Sequence, residues 1–170
     1  MMKASASILS FLVILNCAFA QETEFDRRNG FKDIKLASPI DSVKGAKFKK
    51  DFKEKGHYPA KLYTIEHPDY KSIGEVKIER IEVKTYKSLI YQILVITEKD
   101  TRLMKGMEAA LGKPAYNVRD ESYNWAGQKG GLKFKSHSKS QLELLYGSSA
   151  VYKLMQEDKA KKIKDISGDF

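Results

Sequence analysis

The segment from Gly74 to Thr97 constrains the fold more than any other. Val76 and Ile78 share one parity of an alternating pattern, and Ile81, Val83 and Thr85 share the other. A strand here needs one extra residue near Glu79-Arg80 to keep both sets facing a core. Lys87-Ser88 follows as a tight turn, and Leu89-Ile90-Tyr91-Gln92-Ile93-Leu94-Val95-Ile96-Thr97 is almost continuously apolar and rich in β-branched residues. Such a run belongs in a central strand. The chain is therefore expected to build an antiparallel sheet around these two strands and to pack helices on it.

Other segments provide candidates for both. Asp100-Thr101 reads as a helix start; Leu103, Met107, Ala110 and Leu111 recur at helical spacing, and Gly112 with Pro114 supplies the stop. Three strands are expected after it, at 122–125, 131–136 and 141–146, with Leu132, Phe134, Leu142, Leu144 and Tyr146 pointing inward and Gln128-Lys129-Gly130-Gly131 as a hairpin turn. A final helix from Ser148 or Ser149 is marked by Val151, Met155, Ile163 and Ile166; its lysine-rich second half is expected to fray. Upstream, Phe31 to Leu36 alternates as a short strand, and Ser38-Pro39-Ile40-Asp41 looks like the start of a short helix reaching Ala46. Between Lys44 and Lys55, six lysines flank Phe48 and Phe52, which are four apart. The expectation there is a solvated helix with both phenylalanines packed inward, the alternative being a polyanion-binding strip. The fold class is accordingly α+β: an antiparallel β-meander sheet packed by two or three helices. It divides into two loosely related α-β halves, a helix near residue 40 preceding one meander and the helix near 105 another.

Residues 1–20 read as a secretory signal peptide, with Lys3 as the basic end, Ile8 to Leu15 as the apolar stretch and Ala18-Phe19-Ala20 as the cleavage site. The apolar run is shorter than the roughly 18 residues needed to span a bilayer. A minor alternative is lipid anchoring at Cys17, although Leu15-Asn16 is a poor lead-in to that residue. The domain reading is a signal at 1–20, a flexible leader at 21–30, an α+β domain at 31–150 and a basic C-terminal helix and tail at 151–170. Cleavage leaves a mature chain long enough to bury its own core and removes the one Cys, so disulfides, thiolate nucleophiles and Cys-ligated zinc drop out. Loss of Lys3 takes the net charge from +9 to +8.

Chemistry-bearing motifs are sparse. His57, His67 and His137 show no metal-binding spacing, and Glu66-His67-Pro68-Asp69 reads as a loop. No serine stands in a Gly-x-Ser-x-Gly elbow. Gly127-Gln128-Lys129-Gly130-Gly131 superficially resembles a phosphate loop but lies between strands with no helix to present its amides. No catalytic residue, metal or cofactor is assigned. Tyr123, Trp125, Phe134 and Tyr146 have inward parity and read as core.

The run Ile73-Gly74-Glu75-Val76-Lys77-Ile78 through Ile81-Glu82-Val83, then Leu89-Ile90-Tyr91-Gln92-Ile93, Leu111-Gly112-Lys113-Pro114 and Tyr123-Asn124-Trp125-Ala126-Gly127 resembles a group of small secreted bacterial proteins. Their helix-then-antiparallel-sheet plan is similar to the β-lactamase-inhibitor-protein-like and outer-membrane assembly factor BamE-like folds. The resemblance covers about residues 31–150 and implies a binding or scaffold role in the envelope. The functional expectation is a periplasmic or extracellular, non-catalytic protein-interaction module of inhibitor, immunity or envelope-assembly type, with an envelope protein as partner. Its expected contact residues are Lys133 and Lys135 on the solvent side of the hairpin, with Tyr116 and Arg119 beside the Tyr-x-Trp strand. Two alternatives are an enzyme acting on envelope polymers through His67 or His137 with a nearby carboxylate, and weak polyanion binding. Because only five residues are Arg, the charge licenses weak contact with anionic lipid or polysaccharide rather than specific nucleic-acid recognition.

Overall fold

A computed structural model describes residues 22–168. The central pair forms as the pattern requires. Strands β6 (Val76–Tyr86) and β7 (Leu89–Glu98) pair antiparallel, with a register shift between Ile78 and Arg80 that accommodates the parity slip. Lys87 and Ser88 make the turn with φ of 50° and 63°, the left-handed pair that suits the twist of a two-residue hairpin. A second shift, between Lys84 and Thr85, lets Thr85 and Tyr86 both be buried.

Around this pair stand β3 (Ala46–Glu54), β4 (Tyr58–Ile65), β8 (Ala115–Asn117), β9 (Ser122–Ala126), β10 (Gly130–Ser136) and β11 (Gln141–Ser148). The sheet runs β3-β4-β6-β7-β11-β10-β9-β8, with the short β5 (Ser72–Ile73) pairing β6 off this path. Two antiparallel meanders thus meet at the β7–β11 seam. Helix α2 (Arg102–Leu111) carries the chain from the seam to the far edge. The α+β class stands, and the two-part plan takes the form of two meanders sharing one sheet.

The expected helix near residue 40 is a single 3-10 turn, Ile40–Ser42. Its length is cut short because Ala37 N donates to Ile90 O, Ile40 N donates to Ser88 O and Ser38 O accepts from Ile90 N, spending the segment's backbone groups on pairing with the β6–β7 hairpin. The strand expected at 31–36 is a two-stranded hairpin, β1 (Gly30–Phe31) with β2 (Ile34–Lys35), turning at Lys32-Asp33. The lysine-rich stretch expected to be helical is edge strand β3. Phe48 is 55% exposed there and packs edge-on against Tyr63 of β4, while Phe52 is half-buried. Cross-strand pairing with β4 outweighs the helical spacing of the two rings, and the lysines leave a charged edge that resists pairing with another chain. Strands β4 and β8 had no clear sequence signal. Pro59 obscures β4, yet it pairs there with Lys53 of β3 beyond the stretch that β6 covers, so no ladder bond to β6 is asked of it.

The leader expected over 21–30 is replaced from Glu24 onward by α1 (Glu24–Arg28), whose Phe25 and Asp26 are buried. Thr23 caps it, its hydroxyl accepting from the Asp26 N–H at 3.1 Å. Helix α3 (Ser149–Ser167) begins where expected, with Ser148 Oγ accepting from Val151 N. It continues through the segment expected to fray, but residues from Lys159 onward, including Ile163 and Ile166, are exposed.

The core has two parts. On the first face, α1, the β1–β2 hairpin, the 3-10 turns Ile40–Ser42 and Pro68–Tyr70, and α2 cover Ile81, Val83, Ile90, Ile93, Val95 and their neighbours. On the second, the first turns of α3 place Val151 and Met155 against Ala60, Tyr86 and Tyr91. The expected inward residues Leu132, Phe134, Leu142, Leu144 and Tyr146 are all buried on the first face. Residues 1–21, with the signal and the Cys17 alternative, lie outside the described residues, as do 169 and 170. No helix among the described residues is long and apolar enough to cross a membrane.

Candidate functional site

Helix α3 covers one end of the second face and leaves the other open. The strand registers place two rows of side chains on that open end. One runs Thr64, Glu82, Leu94, Leu145, Lys133, Asn124 across six strands. The other runs Arg80, Ile96, Glu143, Lys135. Directly opposed residues in adjacent strands point the same way, so each row is one line on the surface. The middle is apolar: Leu94 and Leu145 are half-buried and present surface, while Ile96 beside them is buried. Charged side chains stand on both flanks.

Lys133 and Lys135 fall here because Leu132 and Phe134 alternate with them into the core. Neither lysine is a free cation. Lys133 Nζ lies 2.5 Å from Asp120 Oδ2, and Lys135 Nζ 3.8 Å from Glu143 Oε1. The Asp120 carboxyl is held below the usual carboxylate range by the hydrogen bond from Lys133, reinforced by one from Ser122. On the opposite flank, Glu82 takes Lys49 at 3.0 Å and Arg80 at 3.9 Å.

Tyr116 and Arg119 do not join this surface. Tyr116 pairs with Tyr123, which pairs with Phe134, so Tyr116 belongs to the first face at its β8 edge. Its ring lies 4.9 Å from that of Tyr123 and it remains 52% exposed. Arg119 sits in the β8–β9 turn, its N–H donating to Asn117 Oδ1 at 3.0 Å. Arg119 is nonetheless next to Asp120, the carboxylate that holds Lys133, so the turn joins the two faces at this edge.

Two of the histidines stand near a carboxylate. His137 Nδ1 lies 3.0 Å from Glu143 Oε2 on the exposed β10–β11 turn. His67 borders a shallow depression with Arg80 and Tyr70, yet its Nδ1 accepts from the Asp69 N–H and stands 3.4 Å from the Asp69 carboxylate. That is beyond the reach of about 2.6–3.2 Å that proton transfer needs. Among the described residues no group of three or more His, Cys, Asp or Glu could hold a metal ion.

The loop that resembles a phosphate cradle does bind an anion, from within the chain. The buried Asp26 carboxylate accepts from Gln128 N at 2.9 Å, Lys129 N at 2.8 Å and Thr23 Oγ1 at 2.9 Å. Burial alone would raise its pKa; the amides of Lys129 and Gln128 and the Thr23 hydroxyl outweigh it and hold the carboxyl below its ordinary value. A Cβ at Gly127 would stand 2.3 Å from Asp26 Oδ1, so any other residue here would displace the carboxylate. Sequence reading missed the occupant because Asp26 lay in the presumed leader.

No family model matches this chain, and no curated protein and no solved structure matches it.

Proposed function

We propose that this protein is a secreted, non-catalytic protein-interaction module of the periplasm or extracellular space that holds a protein partner on the open half of its second sheet face. One observation carries the reading: the half-buried leucines Leu94 and Leu145, left uncovered by α3, are flanked by Arg80 and Glu82 on one side and by Lys133, Lys135 and Glu143 on the other. An apolar centre with a charged rim is the anatomy of a protein interface. The rim charges are already paired within the chain, so they favour a partner with its own paired charges over a bare polyanion, whose affinity would fall steeply with salt. The likeness to inhibitor-protein-like and BamE-like plans supports a binding role by analogy only.

The test is affinity capture from an envelope extract by the purified protein, washed at low and then high salt, beside a Leu94→Glu, Leu145→Glu variant with an unchanged urea midpoint. A protein retained stoichiometrically at high salt by the native chain and lost by the variant is the expected result. Equal retention by both, or release of every bound species by salt, would overturn the assignment. The Lys133→Glu, Lys135→Glu pair should weaken capture less than the leucine pair, since it alters the rim and not the centre.

A further inference from the structure

A concavity of about 670 Å³ lies on the first face, between α1, the β1–β2 hairpin, the β5–β6 turn and α2. Small-molecule sites occupy roughly 300–1,000 Å³. Its walls are apolar. Leu103, Met107 and Leu111, each four residues from the next, run along α2 for about 12 Å at 1.5 Å per residue. Between them Gly106 and Ala110 keep that side of the helix low, and a Cβ at Gly106 would meet nothing within 4 Å. Leu103 is the helix's one buried residue, while Met107 and Leu111 pack partly buried against the core and leave the rest of their surface to the cleft.

Two polar groups without partners face this apolar space. Tyr146 of β11 lines the cleft at 7% exposure, its ring tilted against Phe31 at 6.1 Å. Its hydroxyl makes no hydrogen bond among the described residues, whereas the hydroxyls of Tyr86 and Tyr91 each donate to a carboxylate. Arg28, the last residue of α1, also lines the cleft, and its guanidinium has no ion pair or hydrogen bond among the described residues. Its neighbour Arg27 pairs with Glu24, and Arg102 is taken up by Asp100 and Glu75. Burial pushes the Tyr146 hydroxyl well above the usual tyrosine range, and Arg28 is the one charged group acting against that shift. Lys35 and Lys32, also at the mouth, donate only to backbone carbonyls: Lys35 to those of Arg28 and Lys32, Lys32 to those of Asp69 and Ser72. No carboxylate among the described residues pairs with either of them.

We propose that this cleft binds a long-chain carboxylate, its head on the Arg28 guanidinium and the Tyr146 hydroxyl and its chain along Leu103, Met107 and Leu111 of α2. A guanidinium donates two parallel hydrogen bonds to a carboxylate, and the neutral hydroxyl adds a third donor without a second charge. That matches a singly charged, planar head, while the apolar walls exclude a ligand that is polar throughout. The site is separate from the interface proposed above, which lies on the other face of the sheet.

The experiment is titration of the purified protein with dodecanoate below its micelle-forming concentration, read by displacement of a fluorescent fatty acid, with dodecanol and phosphatidylglycerol vesicles as parallel arms. Saturable binding of one dodecanoate per chain is expected. Arg28→Gln and Tyr146→Phe should each weaken it about tenfold, the effect of losing one charge-assisted contact. Ala110→Phe should abolish it by filling the cleft, and Lys133→Glu should leave it unchanged. Equal affinity for dodecanol would overturn the head-group assignment. Binding indifferent to both Ala110→Phe and Arg28→Gln would overturn the site. Association with vesicles without saturable dodecanoate binding would assign the basic rim to a bilayer surface instead. Arg28 is exposed and outside the core, so its variant keeps the test decisive if Ala110→Phe fails to fold.

Discussion

The two faces of the sheet share their strands but are closed in different ways. On the first, short pieces of chain lie over a continuous apolar layer, and the buried charge Asp26 is met by two backbone amides and the Thr23 hydroxyl. On the second, one helix lies over a smaller cluster bordered by side-chain contacts: Tyr91 donates to Glu54 at 2.8 Å, Lys84 to the same oxygen at 3.1 Å, and Tyr86 and Lys87 meet Asp158 at 2.7 and 2.6 Å. Backbone donors fixed by a turn lose little freedom when they bind, whereas each side-chain contact must order a rotamer first. The first face therefore carries stability, and the second can leave half its area open without loss of the fold.

The largest test of this difference is a pair of truncations. Ile93→Ala empties the centre of the first layer and should cost about 3–4 kcal/mol, while Met155→Ala under α3 should cost about 2 kcal/mol because a terminal helix can settle into the gap. Urea unfolding of both reads the contrast, and equal losses would show the second face to be no softer. Asp26→Asn comes next, at about 2 kcal/mol, since one carboxylate oxygen becomes an amide group facing N–H donors. Its acid dependence has a definite sign. The folded pKa is lowered, so the native protein's stability contribution from Asp26 is complete above the unfolded value of about 4 and is lost as pH falls below it. In the variant, that part of the acid sensitivity of the urea midpoint should disappear.

The same contrast explains how much could be read beforehand. Period-two alternation exposed β6, β9, β10 and β11, and the bulge near Glu79 followed from a parity slip alone, because one residue of shift moves every later side chain to the wrong face. Segments held by long-range partners left no such mark. Edge strand β3 carries Phe48 and Phe52 at a helical spacing, and only its pairing with β4 decides between the two. Asp26 and Arg28 stand in a polar stretch that resembles any leader, and their roles arise from residues more than 100 positions away, Lys129 for one and Tyr146 for the other. Lys133 and Lys135 were visible by parity. Their neighbours Leu94 and Leu145 were not, since where α3 stops covering a sheet is a matter of packing and not of pattern.

A smaller effect probes the side-chain contacts of the second face. Burial would raise the Glu54 pKa, but the Tyr91 hydroxyl and the Lys84 ammonium outweigh it and hold it below the ordinary glutamate range. Tyr91→Phe should cost about 1.5 kcal/mol, the value of a hydrogen bond to a charged acceptor. In a double-mutant cycle with Glu54→Gln the two losses should fall short of additive, since both remove the same bond. Additivity within error would mean that the contact contributes nothing and that Tyr91 is held by ring packing alone, including the 5.4 Å contact with Tyr152.

The smallest expected change has the opposite sign and sits where both faces begin, at the β6–β7 turn. Ser88 is exposed with φ of 63°, a conformation that strains a residue with a Cβ and that glycine adopts freely. Its carbonyl accepts from Ile40 N at 3.0 Å, a backbone contact that substitution leaves in place. Ser88→Gly should therefore raise stability by about 0.5 kcal/mol, relief of strain exceeding the added freedom of the unfolded chain. Lys87 shares the conformation but also holds Asp158 on α3. Lys87→Gly should gain less than Ser88→Gly or turn to a loss, and the sign of that difference in urea measures what α3's tether contributes.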